Sequence, residues 1–283
     1  MSLNSVNTNI NAAVALQSLN QTSSQLAMTQ KAISTGYRVA DATDDGAAYA
    51  VAQRVRSDVG ALTSANQQLG NVKGLVSTTL TGLNNVSNTL KDARALLVKL
   101  ADGNIQGEQR SQYVTQYQSM MANVKTFMQD AGYNNKTLIG NITGSNGNFG
   151  SVAVIRNEVG ASYGIATFGG SAFFASVNFT STQLNTATSA GALITATGTF
   201  LNALSTLGTQ LNTYGAAVRY VDNQVSYNND KIDSLNGGLG SLIDADLAKE
   251  SAKLQALQIR QQLGTQALSI ANQAPQSLLS LFK

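Results

Sequence analysis

The chain has no cysteine, no histidine and no tryptophan, and a single proline. Without cysteine there is no disulfide, no thiol nucleophile and no thiolate metal ligand. Without histidine there is no Ser-His pair and no imidazole metal site. Carboxylate chemistry remains possible in principle, but neither a cofactor nor a metal is expected. Charge is also scarce: Asp, Glu, Lys and Arg supply 12% of residues, about half the usual share. The net charge of +3 is spread with no Lys/Arg cluster, which argues against a basic stripe able to displace counterions from nucleic-acid phosphates. No run of about 20 apolar residues is present, so no membrane insertion is expected. The N-terminus lacks a basic segment followed by an apolar core, so no cleavable secretory signal is read, and export would need another route.

What fills the chain is Ala, Asn, Gln, Ser and Thr between regularly spaced Leu, Ile and Val. With 43% hydrophobic residues over 283 positions, disorder is excluded and a sizeable core can be buried. The charges are segregated. None precedes Lys31, none lies in 159–218, and none lies between Gln261 and Phe282. Ends are normally solvated and charged, so two uncharged ends suggest surfaces that face other protein.

The apolar pattern repeats every seven residues, the period of helices packed lengthwise. Near the N-terminus, Ala12, Leu19, Leu26 and Ile33 keep that step. Leu3 and Ile10 form a second one, and Leu16 sits three before Leu19. Gly36 is placed to end this helix, and the acids of Asp41–Gly46 to start the next. From Ala47 to Leu100, Leu62, Leu69, Val76, Leu83, Leu90 and Leu97 stay in strict register. Glycines 60, 70, 74 and 82 weaken that helix in isolation, although small residues also let a neighbour approach. A third helix is expected over 108–131, with Tyr113, Tyr117, Met120, Val124, Phe127 and Met128 on its apolar stripe.

Turn-rich sequence then leads to SVAVIRN, YGIATF and SAFFASVNF, read as two to four short strands near 139–185. Helix returns over 190–236, with Leu201, Leu204, Leu207 and Leu211, and is expected to break at Gly237, Gly238 and Gly240. The last helix is read as starting at Ser241–Asp244, with Asp246 also near its positive end. It carries Leu247, Leu254, Leu257, Leu263, Leu268, Ile270, Leu278 and Leu281, and Pro275 is expected to kink or end it.

The expected fold is mainly α: an elongated coiled-coil or helical bundle with paired N- and C-terminal helices and a small β-hairpin region. The two ends, 1–40 and 243–283, form one domain. Residues 41–242 form a helical-bundle domain carrying the β region, and no large outer domain has room. The pairs Asp44–Asp45 and Asp244/Asp246 are read as helix N-terminal charge rather than acid or Ca²⁺ sites. The Asn85, Asn141 and Asn178 glycosylation patterns are read as chance, and O-linked sugar within 140–200 stays open. No catalytic, cofactor-binding or metal residue is assigned. Leu3, Ile10, Leu16, Leu19, Leu26 and Ile33, with the eight apolar residues just named in the last helix, are the candidates for self-assembly.

Three segments carry a family resemblance: NTNINAAVALQSLN, ISTGYRVADATDDGAAYAVAQRV, and LIDADLAKESAKLQALQIRQQLGTQALSIANQAPQSLLSLFK. They resemble the two ends of bacterial flagellin, and alphaproteobacterial flagellins most. The resemblance covers about 1–138 and 195–283. It departs in Asp44-Asp45-Gly-Ala-Ala-Tyr, where the family usually reads Asp-Asp-Ala-Ala-Gly-Leu, and in Tyr37 and Val39, where Leu and Ile are usual.

The resemblance implies a subunit of the secreted, extracellular flagellar filament, exported by the flagellar type III apparatus. Its partners would be other flagellin subunits, an export chaperone, the filament cap and hook-associated proteins. The segment Leu90–Val98 matches the site that innate receptors read in other flagellins. Asp92 stands where a basic residue is common and Ala95 where an acid is, so recognition is expected to be weak or absent. The alternatives are a flagellin-like hook–filament junction protein and, from another class, a secreted binding protein with a helical stalk; an enzyme comes last.

Overall fold

A computed structural model describes residues 9–140 and 142–281, with side chains through Gln273. Helix α1 spans Ile10–Thr35, α2 Gly46–Leu100, α3 Gly107–Gln129, α4 Gly170–Val177, α5 Ala187–Leu193, α6 Thr199–Ile243 and α7 Leu247–Leu281. Strands β1 (Gly132–Tyr133), β2 (Lys136–Thr137) and β3 (Asn148–Phe149) form one small sheet, in which β2 pairs antiparallel with β1 and parallel with β3. β4 (Val152–Ile155) and β5 (Ser162–Ile165) form an antiparallel hairpin in which Val152 faces Ile165. The chain makes two compact units. One holds residues 1–57 with 233–283, the other 58–232.

In the larger unit the heptads become the core. Leu62, Leu69, Val76, Leu83, Leu90 and Leu97 are all fully buried, and Thr79, Val86, Ala93 and Leu100 fill the intermediate positions of the same stripe. α3 presents Arg110, Val114, Tyr117, Met121, Val124 and Met128 in alternating steps of four and three, the spacing that keeps one face turned to a neighbour. Tyr113, Met120 and Phe127, expected in this stripe, flank the core instead. α6 contributes Phe200, Ala203, Leu207, Tyr214, Ala217 and Val221, with Leu204 and Leu211 packed beside them. The phenol of Tyr117 donates to Val177 O and that of Tyr214 to Ala166 O, so each buried hydroxyl has a partner.

A polar layer crosses this core. Asn228 is fully buried. Its Nδ2 donates to Asn66 Oδ1 at 2.8 Å and to Arg156 O at 3.0 Å. Gln224 Nε2 donates to Asn228 Oδ1 at 2.9 Å and to Arg156 O at 3.2 Å. The layer pins the carbonyl that follows β4 to α6 without burying an ion.

The expected strand SAFFASVNF is helix α4. Gly170, Phe173 and Val177 fall three and four residues apart on its buried face, so helical spacing of the apolar groups outweighs the strand preference of Phe and Val. Nor do Gly237, Gly238 and Gly240 end α6, which runs to Ile243. Glycine weakens a helix by about 1 kcal/mol per residue, which packing of Leu239, Leu242 and Ile243 offsets.

The glycines of α2 are not equivalent. A Cβ at Gly60 would meet nothing within 4 Å, whereas one at Gly82 would lie 2.7 Å from Ala131 Cβ and 3.0 Å from the Phe127 carbonyl. Gly82 is therefore a point of close approach by the end of α3 and by Ala131 just beyond it. Gly82→Ala is expected to destabilise the chain by about 1–2 kcal/mol through overpacking. Gly60→Ala is expected to stabilise it by up to about 1 kcal/mol through helix propensity. Paired thermal denaturation curves check both signs, and equal effects at the two sites would overturn the close-approach argument.

Candidate assembly surface

The smaller unit is built on α1 and α7, which run antiparallel. Two contacts among the described residues fix the geometry: Asn9 Nδ2 donates to Ala271 O at 2.7 Å, and Tyr37 pairs with Asp244 in an antiparallel bridge. Between these lies the contact of Leu19 with Gly264.

Along α1 the inward positions are Ala12, Ala15, Leu19, Thr22, Leu26, Thr29 and Ile33; along α7 they are Glu250, Leu254, Leu257, Gln261, Gly264, Leu268 and Ala271. Both series alternate steps of three and four, the seam of a two-helix coiled coil. The seam is thin. Most of its members are small or polar, and only Thr29 and Leu257 are fully enclosed. The Leu and Ile read from the sequence supply three of the seven members of each seam: Leu19, Leu26 and Ile33 on α1, and Leu254, Leu257 and Leu268 on α7. Ala15, Thr22, Gln261 and Gly264 supply much of the rest, and carry no apolar signal by which sequence reading could find them.

The connection between α1 and α2 is a compact polar clip. Gly36 takes the left-handed conformation with φ 75° and ends α1. The amides of Arg38 and Val39 donate to Ile243 O, and that of Ala245 donates to Gly36 O. Behind them Val39, Ala48, Ala52 and Ile243 form a small core. That core draws the first turns of α2 and the last turns of α6 into this unit, which therefore extends beyond the boundaries near 40 and 243 read from the sequence. Asp45 Oδ1 accepts from the amides of Ala47 and Ala48 and caps α2. Asp246 Oδ1 does the same for α7 through Ala248 and Lys249. The cap of α7 is thus Asp246, not the Ser241–Asp244 box expected, because α6 continues through that stretch.

Lys31 Nζ sits 2.7 Å from Asp41 and 2.8 Å from Asp44. The lysine holds both carboxyls below the usual carboxylate range, helped by Thr43 at Asp41 and by the Ala40 amide at Asp44. The hydrogen bonds that the Lys31 ammonium donates to Asp41 and Asp44 raise its own pKa. The sign follows from linkage. The depressed carboxyls contribute stability above their ordinary value of 3.8, lost as pH falls through their lower folded values. The raised lysine contributes below its ordinary value of 10.5, lost as pH rises through its higher folded value. All three groups are solvent-screened. Lys31→Met is expected to lower stability between about pH 5 and 9, with the difference from wild type shrinking progressively as pH falls below the ordinary carboxylate value of 3.8. Urea denaturation across pH 2–9 checks this, and a pH-independent difference would overturn it.

What the pair leaves outside is as informative as its seam. Ile10 (58%), Val14 (59%), Leu16 (48%) and Met28 (61%) of α1 are exposed, as are Leu247 (50%), Ile259 (58%), Leu263 (59%) and Ile270 (68%) of α7. Few charges interrupt this surface: α1 carries only Lys31, and the described side chains of α7 beyond Arg260 carry none. Of the residues singled out for assembly, Leu19, Leu26, Ile33, Leu254, Leu257 and Leu268 therefore belong to the seam between the two helices, whereas Ile10, Leu16, Leu247, Leu263 and Ile270 point away from it. Leu3, Asn141 and the side chains of Leu278 and Leu281 lie outside the described residues. Among the described residues no cluster of three or more acidic, cysteine or histidine side chains could hold a metal, and no helix is long and apolar enough to cross a membrane.

Residues 6–143 match the bacterial flagellin N-terminal helical region, and residues 194–282 match the bacterial flagellin C-terminal helical region. Flagellin FljM of Caulobacter vibrioides is 31% identical over 287 residues, covering 100% of both chains. A flagellin of Brucella melitensis is 35% identical, covering 99% of both. Among solved structures, a putative flagellar hook-associated protein from Vibrio parahaemolyticus shares the fold, with a TM-score of 0.54 at 16% identity over 71% of this chain and 100% of that one.

Proposed function

Because the chain belongs to the bacterial flagellin family, as a structural subunit of the flagellar filament, we propose that its terminal pair is the surface through which it polymerises. The observation that carries this reading is the row of exposed Leu, Ile, Val and Met on α1 and α7. A single chain gains nothing by presenting these groups to water, whereas repeated contact with neighbouring copies removes them from it. The Asn, Gln, Ser and Thr between them hydrogen-bond across subunits without the desolvation cost of buried ions.

In this reading the α1/α7 pair forms the inner layer of the filament, around a channel. Ordering of the termini on docking is offset by burial against many neighbours at once. In the same reading the protein is exported by the flagellar type III route and works outside the cell in swimming motility. An export chaperone, the filament cap and hook-associated proteins are its other partners. With Asp92 and Ala95 exposed on α2, innate receptors engage it weakly; a receptor reporter driven as strongly as by a gammaproteobacterial flagellin would overturn that part. No catalytic role is proposed.

Seeded polymerisation of the purified full chain, followed by helical reconstruction, tests the main reading. Filaments with α1 and α7 at the smallest radius are expected. A chain that remains monomeric with seeds present, or that joins only the first subunits beyond the hook, would replace it with the junction role.

A further inference from the structure

A thin seam of small residues raises a problem of register. Slipping α1 by one heptad along α7 would still set Ala, Thr and Leu against small or polar partners, so apolar packing alone discriminates weakly between the two alignments. The end of the pair holds a device that does discriminate. Pro275 lies within α7, and proline has no amide hydrogen to give to the carbonyl four residues earlier. That carbonyl is Ala271 O, the atom to which Asn9 Nδ2 donates at 2.7 Å. The other end of the same amide is also used. Asn9 Oδ1 accepts from the Ala12 amide at 3.1 Å and so caps α1.

We infer that Asn9 and Pro275 form a register clasp. The proline leaves one helix carbonyl open at a single height on α7, and the asparagine that begins α1 closes it. Asn9 is thus a positioning residue for the assembly surface, an inference that rests on the terminal pair being that surface. A one-heptad slip moves Nδ2 about 10 Å from Ala271 O. It then leaves a half-buried carbonyl unpaired, whereas the correct alignment satisfies the carbonyl and the cap together. Serine at position 9 would cap as well as asparagine but lacks a donor of that reach, so Asn9→Ser isolates the clasp from the cap.

The test is a double-mutant cycle on the full chain with Asn9→Ser and Pro275→Ala, read as the critical concentration for polymerisation. Asn9→Ser alone is expected to raise it about fivefold to tenfold, the cost of one hydrogen bond left unmade. Pro275→Ala returns an amide to Ala271 O, and in that background Asn9→Ser is expected to change it less than twofold. Equal effects in the two backgrounds, or no effect of Asn9→Ser in either, overturn the clasp.

If Asn9→Ser does not assemble, rescue by Pro275→Ala supports the clasp and failure to rescue overturns it. If even wild type does not polymerise, the filament reading fails and the clasp is judged within single chains. A Cβ built at Gly264 stands 3.9 Å from Leu19 Cβ, within reach of a disulfide, and the native chain has no competing thiol. With Leu19→Cys and Gly264→Cys in place, Asn9→Ser should slow disulfide formation, and Pro275→Ala should remove that difference. An unchanged rate overturns the clasp.

Discussion

Replacing Leu263 and Ile270 together with aspartate is expected to raise the critical concentration for polymerisation by more than 100-fold while leaving the melting of the larger unit unchanged. Both side chains point away from the α1/α7 seam and are 59% and 68% exposed in the single chain. Their loss therefore removes little from the isolated subunit. Against neighbouring copies each contributes about 1.5–3 kcal/mol when fully buried. Two such losses amount to two to four powers of ten in an equilibrium constant, at about 1.4 kcal/mol per tenfold. The carboxylates add a further cost, since they would leave water without a partner. Sedimentation of seeded mixtures reads the effect. Normal assembly of the double variant would show that this face of α7 remains in solvent, and would move the assembly surface elsewhere. Comparable loss from Leu254→Asp would not discriminate, because Leu254 lies in the seam within the chain.

Arg110→Met is expected to destabilise the larger unit by about 3–5 kcal/mol, since several carbonyls lose their donor at about 1–3 kcal/mol for each one buried. At about 2–4 °C per kcal/mol for a unit of this size, its melting temperature should fall by roughly 6–20 °C. Arg110 occupies a core position of α3 and is 8% exposed. Among the described residues its side-chain hydrogen bonds all go to main-chain carbonyls: Nε to Ile105 O at 2.9 Å, and one terminal nitrogen to Leu184 O at 2.9 Å. The other terminal nitrogen reaches Leu100 O at 2.7 Å and Asp102 O at 3.4 Å.

Two features stabilise a buried cation of this kind. It lies at the C-terminal end of α2, where unsatisfied carbonyls concentrate negative partial charge. Its fork reaches several acceptors at once, ordering the α2–α3 turn and the approach to α5 together. Methionine fills similar space but leaves those carbonyls without a donor. Arg110→Lys should recover less than half of the loss, because a single ammonium cannot span the same acceptors. Thermal unfolding by circular dichroism decides the matter. A methionine variant within about 1 kcal/mol of wild type would mean that water replaces the guanidinium at little cost.

The sequence by itself determined the periodic parts of this protein. Six residues from Leu62 to Leu97 keep a seven-residue step, and all six are fully buried, because a helix can turn such a stripe only toward one neighbour. Gly36 ends α1 because it alone there accepts a positive φ without strain. Tertiary structure decided whatever depended on the identity of the neighbour. SAFFASVNF became a helix because Gly170, Phe173 and Val177 share a buried helical face. Arg110 became a core residue because the last carbonyls of α2 stand within its reach. The terminal apolar residues were separated into those that join α1 to α7 and those left outward by the path of the partner helix. Spacing alone shows that a helix has an apolar stripe. Which side chain closes it, and which remains for another molecule, depends on the size and chemistry of what lies opposite: Ala15, Thr22 and Gly264 at the seam, and the carbonyl of Ala271 that Pro275 cannot fill.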